Sequence, residues 1–93
     1  MVYAPSTNEE LQGAVIAWIT NAEGARDDYG NPSTWDTWSI TDMSYLFDGQ
    51  TSFDEDISSW YTGNVTNMSG MFQNAAAFNQ DISSWGVASE GGG

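Results

Sequence analysis

The chain has 93 residues, a length that corresponds to one small domain or to part of a larger protein. Its 13 acidic residues and single basic residue give a net charge of −12, which argues against nucleic-acid binding because phosphate backbones are repelled. The chain contains no histidine, cysteine or lysine, the side chains most often used as catalytic nucleophiles and general bases, so we expect no enzymatic activity.

The first predicted element is an amphipathic helix over residues 8–21. Four apolar residues recur there at helical spacing: Leu11, Val15, Trp18 and Ile19. Thr7 and Glu10 fit a capping box at its start. Ser6 and Glu9 fit the same motif, so the choice between the two pairs is open. The stretch EGARDDYGNPSTW that follows contains turn residues and is predicted to lead into the next unit as a turn.

A repeat of 25 residues comes next. The stretch FDEDISSW at residues 53–60 recurs as FNQDISSW at residues 78–85. Tryptophan recurs at the same interval: Trp35, Trp60 and Trp85. Residues 35–59 and residues 60–84, aligned without a gap, are identical at 11 of 25 positions. The chain is therefore divided into an N-terminal part with the capping helix and the turn (1–34), repeat 1 (35–59), repeat 2 (60–84), and a partial third repeat with a glycine tail (85–93).

Each repeat is predicted to combine a short helix with a short strand. The stretches SITDMSYLF and NVTNMSGMF place apolar residues on one helical face, whereas FDEDIS and FNQDIS alternate apolar and polar residues as strands do. A repeat of this length is typical of stacked folds, in which equivalent side chains form columns in the core. We therefore predict an α/β fold class: a short capped solenoid of two to three leucine-rich-repeat-like coils with an N-terminal helix cap.

The stretch VTNMSGMFQNAAAFNQDISSW at residues 65–85 resembles the bacterial surface protein repeat of about 25 residues. That repeat occurs in BspA-like surface lipoproteins, a leucine-rich-repeat-like family, and the resemblance covers residues 35–87. It implies an extracellular or cell-surface location and a non-catalytic role in adhesion or protein interaction. It brings no catalytic residues. Self-assembly into an oligomer or filament, with calcium as a stabilising ion, is the alternative function.

Trp38 and Tyr61 are the candidate interaction residues. Trp38 stands where the family repeat usually has serine, and Tyr61 stands where repeat 1 has Asp36. These positions vary while the apolar core positions are retained, which indicates either drift on a solvated face or a contact surface. The expected partner of such a surface is a protein, a surface glycan or another copy of the chain.

Three adjacent acidic residues, Asp54, Glu55 and Asp56, are the candidate metal ligands. Calcium binds several carboxylate oxygens, so this segment is the place where a calcium ion is expected if one is bound. The equivalent residues of repeat 2 are Asn79, Gln80 and Asp81, so the cluster is not repeated and a solvated acidic face is the alternative. No other cofactor is expected. No apolar stretch is long enough to span a membrane.

Overall fold

The computed structural model describes residues 2–82 and 85. Two α-helices come first, α1 (Asn8–Thr20) and α2 (Ala22–Tyr29), and a short 3₁₀ helix (Pro32–Thr34) follows them. The repeats come after these helices and consist of turns that lie side by side. The predicted partial third repeat lies outside the described residues beyond position 85.

Helix α1 confirms the helix predicted over residues 8–21. The Thr7 hydroxyl accepts a hydrogen bond from the Glu10 N–H at 3.1 Å, which satisfies one of the free N–H groups at the helix start. The Glu10 carboxylate reaches back to the Ser6 N–H at 2.8 Å. One face of the helix is buried in the core: Leu11, Ala14, Val15 and Trp18. Ile19 is partly buried against this core.

Helix α2 occupies a segment that the sequence predicted as a turn. Asn21 separates the two helices and serves both of them. Its N–H donates to the Ala17 carbonyl at 2.9 Å, the last bond of α1, and its extended backbone (φ −156°, ψ 91°) ends that helix. Its side-chain oxygen accepts from the Gly24 N–H at 3.3 Å and thereby begins α2. Gly30, with φ +80°, ends α2 in a conformation that favours glycine.

The predicted α/β fold class is wrong. Among residues 2–82 and 85, extended pairing is limited to one isolated parallel bridge between Asp42 and Asn67, and there is no strand or sheet. The structure is therefore not the leucine-rich-repeat-like solenoid that the sequence predicted. The short helix predicted around residues 40–47 is also absent, and residues 53–58 do not form the predicted strand.

The backbone hydrogen bonds of the repeats explain why neither element forms. Alternate N–H groups of repeat 1 donate to carbonyl oxygens of repeat 2 at 2.8 to 2.9 Å: Met43 to Asn67, Tyr45 to Ser69, Phe47 to Met71 and Gly49 to Gln73. Three other N–H groups donate three residues back within repeat 1: Leu46 to Met43, Asp48 to Tyr45 and Gln50 to Phe47. Four of these seven N–H groups therefore bond outside the segment, which prevents a helix, and three bond inside it, which prevents a continuous ladder.

Left-handed backbone conformations recur at equivalent positions of the two repeats. Tyr45 has φ +56° and its equivalent Gly70 has φ +63°. Gly49 has φ +75° and its equivalent Asn74 has φ +60°. Because a left-handed tyrosine is unfavourable on its own, the stacking of the repeats maintains this turn geometry.

The predicted core columns are confirmed for repeat 1 and for the first half of repeat 2, whereas the later members are only partly buried: Phe72, Phe78, Ile82 and Trp85. Trp35 and Trp60 are both 3% exposed, and their rings stack with centroids 6.0 Å apart. A second column holds the phenylalanines. The Phe47 ring lies 4.6 Å from that of Phe53 and 5.4 Å from that of Phe72. Side chains of one repeat therefore cover those of the next, which no single repeat achieves alone.

Helix α1 also contacts the backbone of repeat 1 through polar side chains. The Asn8 amide donates to the carbonyl oxygens of Asp42 and Ser44 at 3.0 and 3.2 Å. The Gln12 amide donates to that of Tyr45 at 3.4 Å. In the described part of the chain, every buried side-chain nitrogen or oxygen has a hydrogen-bond partner. Neither helix found there is long and apolar enough to cross a membrane.

Candidate interaction site

Trp38 and Tyr61 form an exposed aromatic pair. Trp38 is 58% exposed and Tyr61 is 42% exposed, although both belong to side-chain types that are usually covered. Their rings are stacked, with centroids 4.3 Å apart and planes 24° apart. The sequence indicated each residue as a candidate for a contact surface, and the structure brings the two into direct contact.

Hydrogen bonds between the two repeats fix the backbone on both sides of the aromatic pair. The Asn64 amide of repeat 2 donates to the Trp38 carbonyl of repeat 1 at 2.8 Å. The hydroxyl of Thr37, which is 1% exposed, donates to the Tyr61 carbonyl at 2.8 Å. The Trp38 N–H donates to a side-chain oxygen of Asp36 at 2.9 Å. The pair is therefore held in place before any partner arrives.

Gly63 leaves the space that the tyrosine ring fills. Gly63 is the repeat 2 equivalent of Trp38, so the two lie side by side in neighbouring repeats. A Cβ atom on Gly63 would lie 2.3 Å from the Tyr61 hydroxyl oxygen and 2.5 Å from its Cζ, closer than atoms can approach. The ring of Tyr61 therefore lies over Gly63 and reaches Trp38, and the pair depends on a glycine at this position.

Tyr45 is an exposed aromatic residue that the sequence reasoning missed. It is 49% exposed, and its ring lies over Gly70, where a Cβ atom would be 2.3 Å from the tyrosine Cε1. The alignment of the repeats contained a signal for it: Tyr45 of repeat 1 aligns with a glycine of repeat 2, Gly70, just as Trp38 aligns with Gly63. Tyr45 has the same side chain and a similar exposure to Tyr61, which makes it a suitable control for experiments on the pair.

The acidic residues predicted as calcium ligands take part in local hydrogen bonds. One side-chain oxygen of Asp54 accepts from the Asn79 N–H at 2.9 Å and from the Gln80 amide at 2.9 Å. Asp56 accepts from the N–H and hydroxyl of Ser58 at 3.0 and 2.7 Å. These two bonds from Ser58, the backbone one first, hold the pKa of Asp56 below its ordinary value.

The acidic segment does not bring three carboxylates together. Glu55 is only partly exposed, whereas Asp54 and Asp56 are exposed. In residues 2–82 and 85 there is no group of three or more acidic side chains that could hold a metal ion. The calcium site stays a prediction, and an ion experiment below tests it.

Sequence comparison identifies the family. Residues 16–90 match the family described as "Mycoplasma protein of unknown function, DUF285". The chain belongs to the DUF285 family. The match covers both repeats and every residue of the aromatic pair, and it confirms the coarser prediction of a bacterial repeat family. It does not specify the BspA-like, leucine-rich-repeat-like group.

Two further comparisons add no relatives to the DUF285 chain. The search of curated proteins found no match, and the search of solved structures found none. The function of this DUF285 chain is therefore argued from its own residues.

Proposed function

We propose that this DUF285 chain is a non-catalytic interaction module that binds a partner protein through the aromatic pair. The observation that carries the proposal is the exposed stack of Trp38 on Tyr61, with ring centroids 4.3 Å apart. Tryptophan and tyrosine are the residues most enriched among those that dominate binding energy at protein interfaces. An exposed pair of them is unusual on a small chain whose other aromatic rings, apart from Tyr45, are buried or partly buried.

Preorganisation strengthens this argument. A side chain that becomes ordered on binding loses conformational freedom, which costs about 0.5–1.5 kcal/mol for each rotamer-rich side chain. Each ring of the aromatic pair already rests on the other, and the carbonyl groups of both residues accept hydrogen bonds from the neighbouring repeat. A partner therefore meets a formed surface, and less binding free energy is lost in ordering it.

The resemblance to BspA-like surface repeats supports the setting in which the module acts. We propose an extracellular or cell-surface location, where adhesion through a repeat module is the expected role. A charge of −12 is compatible with binding to basic protein surfaces and disfavours contact with anionic ones. Association between copies of the chain is the alternative, and charge repulsion between copies opposes it at low salt.

The test compares three proteins on a peptide array and on a glycan array. They are the wild-type chain, a double variant with Trp38→Ser and Tyr61→Ser, and the control variant Tyr45→Ser. We expect the wild type and the control to bind a set of peptides that the double variant fails to bind. Circular dichroism of all three proteins checks that the folded state is retained.

Two other outcomes would contradict the proposal. Binding of all three proteins to the same peptides would show that the aromatic pair is not the contact surface. Binding that depends on the pair but is confined to glycans would replace the protein partner with a carbohydrate. Sedimentation of the wild type across a salt series detects self-association, and a pair-dependent oligomer would favour the alternative function instead.

A further inference from the structure

A carboxylate lies at the base of the aromatic pair. The Asp36 side chain accepts a hydrogen bond from the backbone N–H of Trp38 at 2.9 Å, which fixes its negative charge next to the Trp38 backbone. Asp36 is exposed, and the next residue, Thr37, donates its hydroxyl to the Tyr61 carbonyl at 2.8 Å, which links this segment to the other member of the pair. A carboxylate is thus bonded to the backbone of one of the two stacked residues.

The single basic side chain of the sequence does not contact the aromatic pair in the described part of the chain. It belongs to Arg26, whose guanidinium carbon lies 5.7 Å from the ring centroid of Trp18. The faces of tryptophan and tyrosine carry negative electrostatic potential and attract cations that approach within about 6 Å. The Arg26–Trp18 contact is an internal example of this attraction, and the aromatic pair presents the same chemistry to solvent.

We propose that the aromatic pair and Asp36 recognise the guanidinium group of an arginine in a basic segment of the partner protein. This inference rests on the proposed function and names its ligand class. Arginine fits better than lysine because its planar guanidinium stacks on aromatic faces while its N–H groups bond to a carboxylate. The overall charge of −12 draws such a segment toward the chain, and the pair with Asp36 gives it a defined place to bind.

Three blocked peptides of equal length provide the probes: an Arg-Gly-Ser repeat, its Lys-Gly-Ser counterpart and a neutral Gln-Gly-Ser counterpart. Calorimetric titration measures their dissociation constants for the wild-type chain at a fixed salt concentration. We expect the arginine peptide to bind most tightly, the lysine peptide more weakly, and the neutral peptide weakest of all. Equal binding of the arginine and lysine peptides would overturn the assignment, since it would leave only attraction between net charges.

A pair of matched variants distinguishes binding by the Asp36 carboxylate from attraction by the net charge of the chain. Asp36→Asn removes one charge but keeps an oxygen that can accept the Trp38 N–H. Asp42→Asn removes the same charge from the same kind of turn, because Asp42 accepts the Ser44 N–H at 2.8 Å. We expect Asp36→Asn to weaken arginine-peptide binding by up to about fivefold, and Asp42→Asn to leave it nearly unchanged. Equal effects of the two variants would contradict the proposal.

The aromatic contribution has its own matched comparison. Tyr61→Ser is expected to weaken arginine-peptide binding by about two- to fivefold, the range of a cation–π contact at an exposed site. Tyr45→Ser removes a similarly exposed tyrosine and is expected to have no effect. If both variants bind the arginine peptide as the wild type does, the inference is wrong. If array binding still depends on Trp38 and Tyr61, the proposed function is retained and the ligand class is another one. If array binding depends on neither residue, both proposals are wrong.

Discussion

Replacement of Trp60 by alanine is the most direct perturbation of the packing between repeats. Trp60 is 3% exposed and stacks on Trp35 and Phe47, with ring centroids 6.0 Å from each. Its indole N–H donates to the carbonyl of Pro32 at 2.7 Å, a bond that joins repeat 2 to the segment before repeat 1. The substitution removes both ring contacts and this hydrogen bond.

The expected cost of Trp60→Ala is a large share of the total stability. Tryptophan-to-alanine changes in a core cost about 3–5 kcal/mol. A domain of 93 residues has a free energy of unfolding of about 5–14 kcal/mol. The carbonyl of Pro32, a buried residue, loses its indole donor but keeps the Trp35 N–H at 3.2 Å, so the lost hydrogen bond accounts for about 0.5–1.5 kcal/mol. Trp60→Phe keeps a ring in the column and is therefore expected to cost less than Trp60→Ala.

Urea unfolding, followed by circular dichroism, measures these differences. Trp38→Ala serves as the control because it removes the same side chain from an exposed position. Its loss is expected to stay within about 1.5 kcal/mol, the scale of one aromatic contact. If Trp60→Ala and Trp38→Ala shift the unfolding midpoint equally, Trp60 is not a core residue, and the stacking of the repeats described above is wrong.

Three further predictions concern turns, acid and ions. Gly70→Ala is expected to lower the free energy of unfolding by about 1–2 kcal/mol, because it places a side chain on a left-handed residue and displaces the Tyr45 ring. Gly13→Ala, at an open position of α1, is expected to raise it by up to about 1 kcal/mol. Similar urea midpoints for the two variants would contradict the turn geometry. The depressed pKa of Asp56 contributes stability that is present above its ordinary pKa and is lost as the pH falls through the folded-state value. The wild type is therefore expected to be more stable than Asp56→Ala at neutral pH and to lose this advantage in acid. A difference in melting temperature that does not depend on pH would refute this. A calcium site at residues 54–56 is expected to make Ca²⁺ raise the melting temperature more than Mg²⁺ does, and neutral substitutions there should abolish the difference. Equal effects of the two ions would leave only charge screening and remove the calcium site.

The sequence predicted which side chains are buried better than it predicted the backbone that carries them. Ile40, Met43, Leu46 and Phe47 are all 0% exposed, as their spacing indicated. The same spacing also fits a helix, and the helix is absent because every second N–H of the segment bonds to the next repeat. Pattern analysis of one repeat cannot reveal a bond between two repeats, so periodicity alone could not separate the two backbones.

The left-handed backbone positions could be recognised in the sequence only in part. Gly70 and Gly49 are the glycines expected at such positions, but each is paired with a residue that hides the pattern, Tyr45 in one case and Asn74 in the other. Only the alignment of both repeats shows that one turn geometry recurs. Asn21 is similar, since the sequence predicted it as the last residue of the first helix and did not show that it also begins a second one.

The candidate site was predictable in its residues and not in its geometry. Trp38 and Tyr61 stood out because they depart from the family pattern at positions two apart in the repeat. Their contact depends on the sideways stacking of repeats and on the missing side chain at Gly63. Asp36 gains its place beside the pair from a turn bond to Trp38, which sequence spacing allows but does not require.

The central claim is that the aromatic pair is the binding surface of this DUF285 chain. The most direct test is the dissociation constant of an array-selected peptide, measured side by side for the wild type, the Trp38→Ser and Tyr61→Ser double variant, and Tyr45→Ser. We expect the double variant to bind at least about tenfold more weakly, the effect of losing roughly 1.4 kcal/mol, while Tyr45→Ser matches the wild type. Equal affinity of all three proteins would contradict the claim.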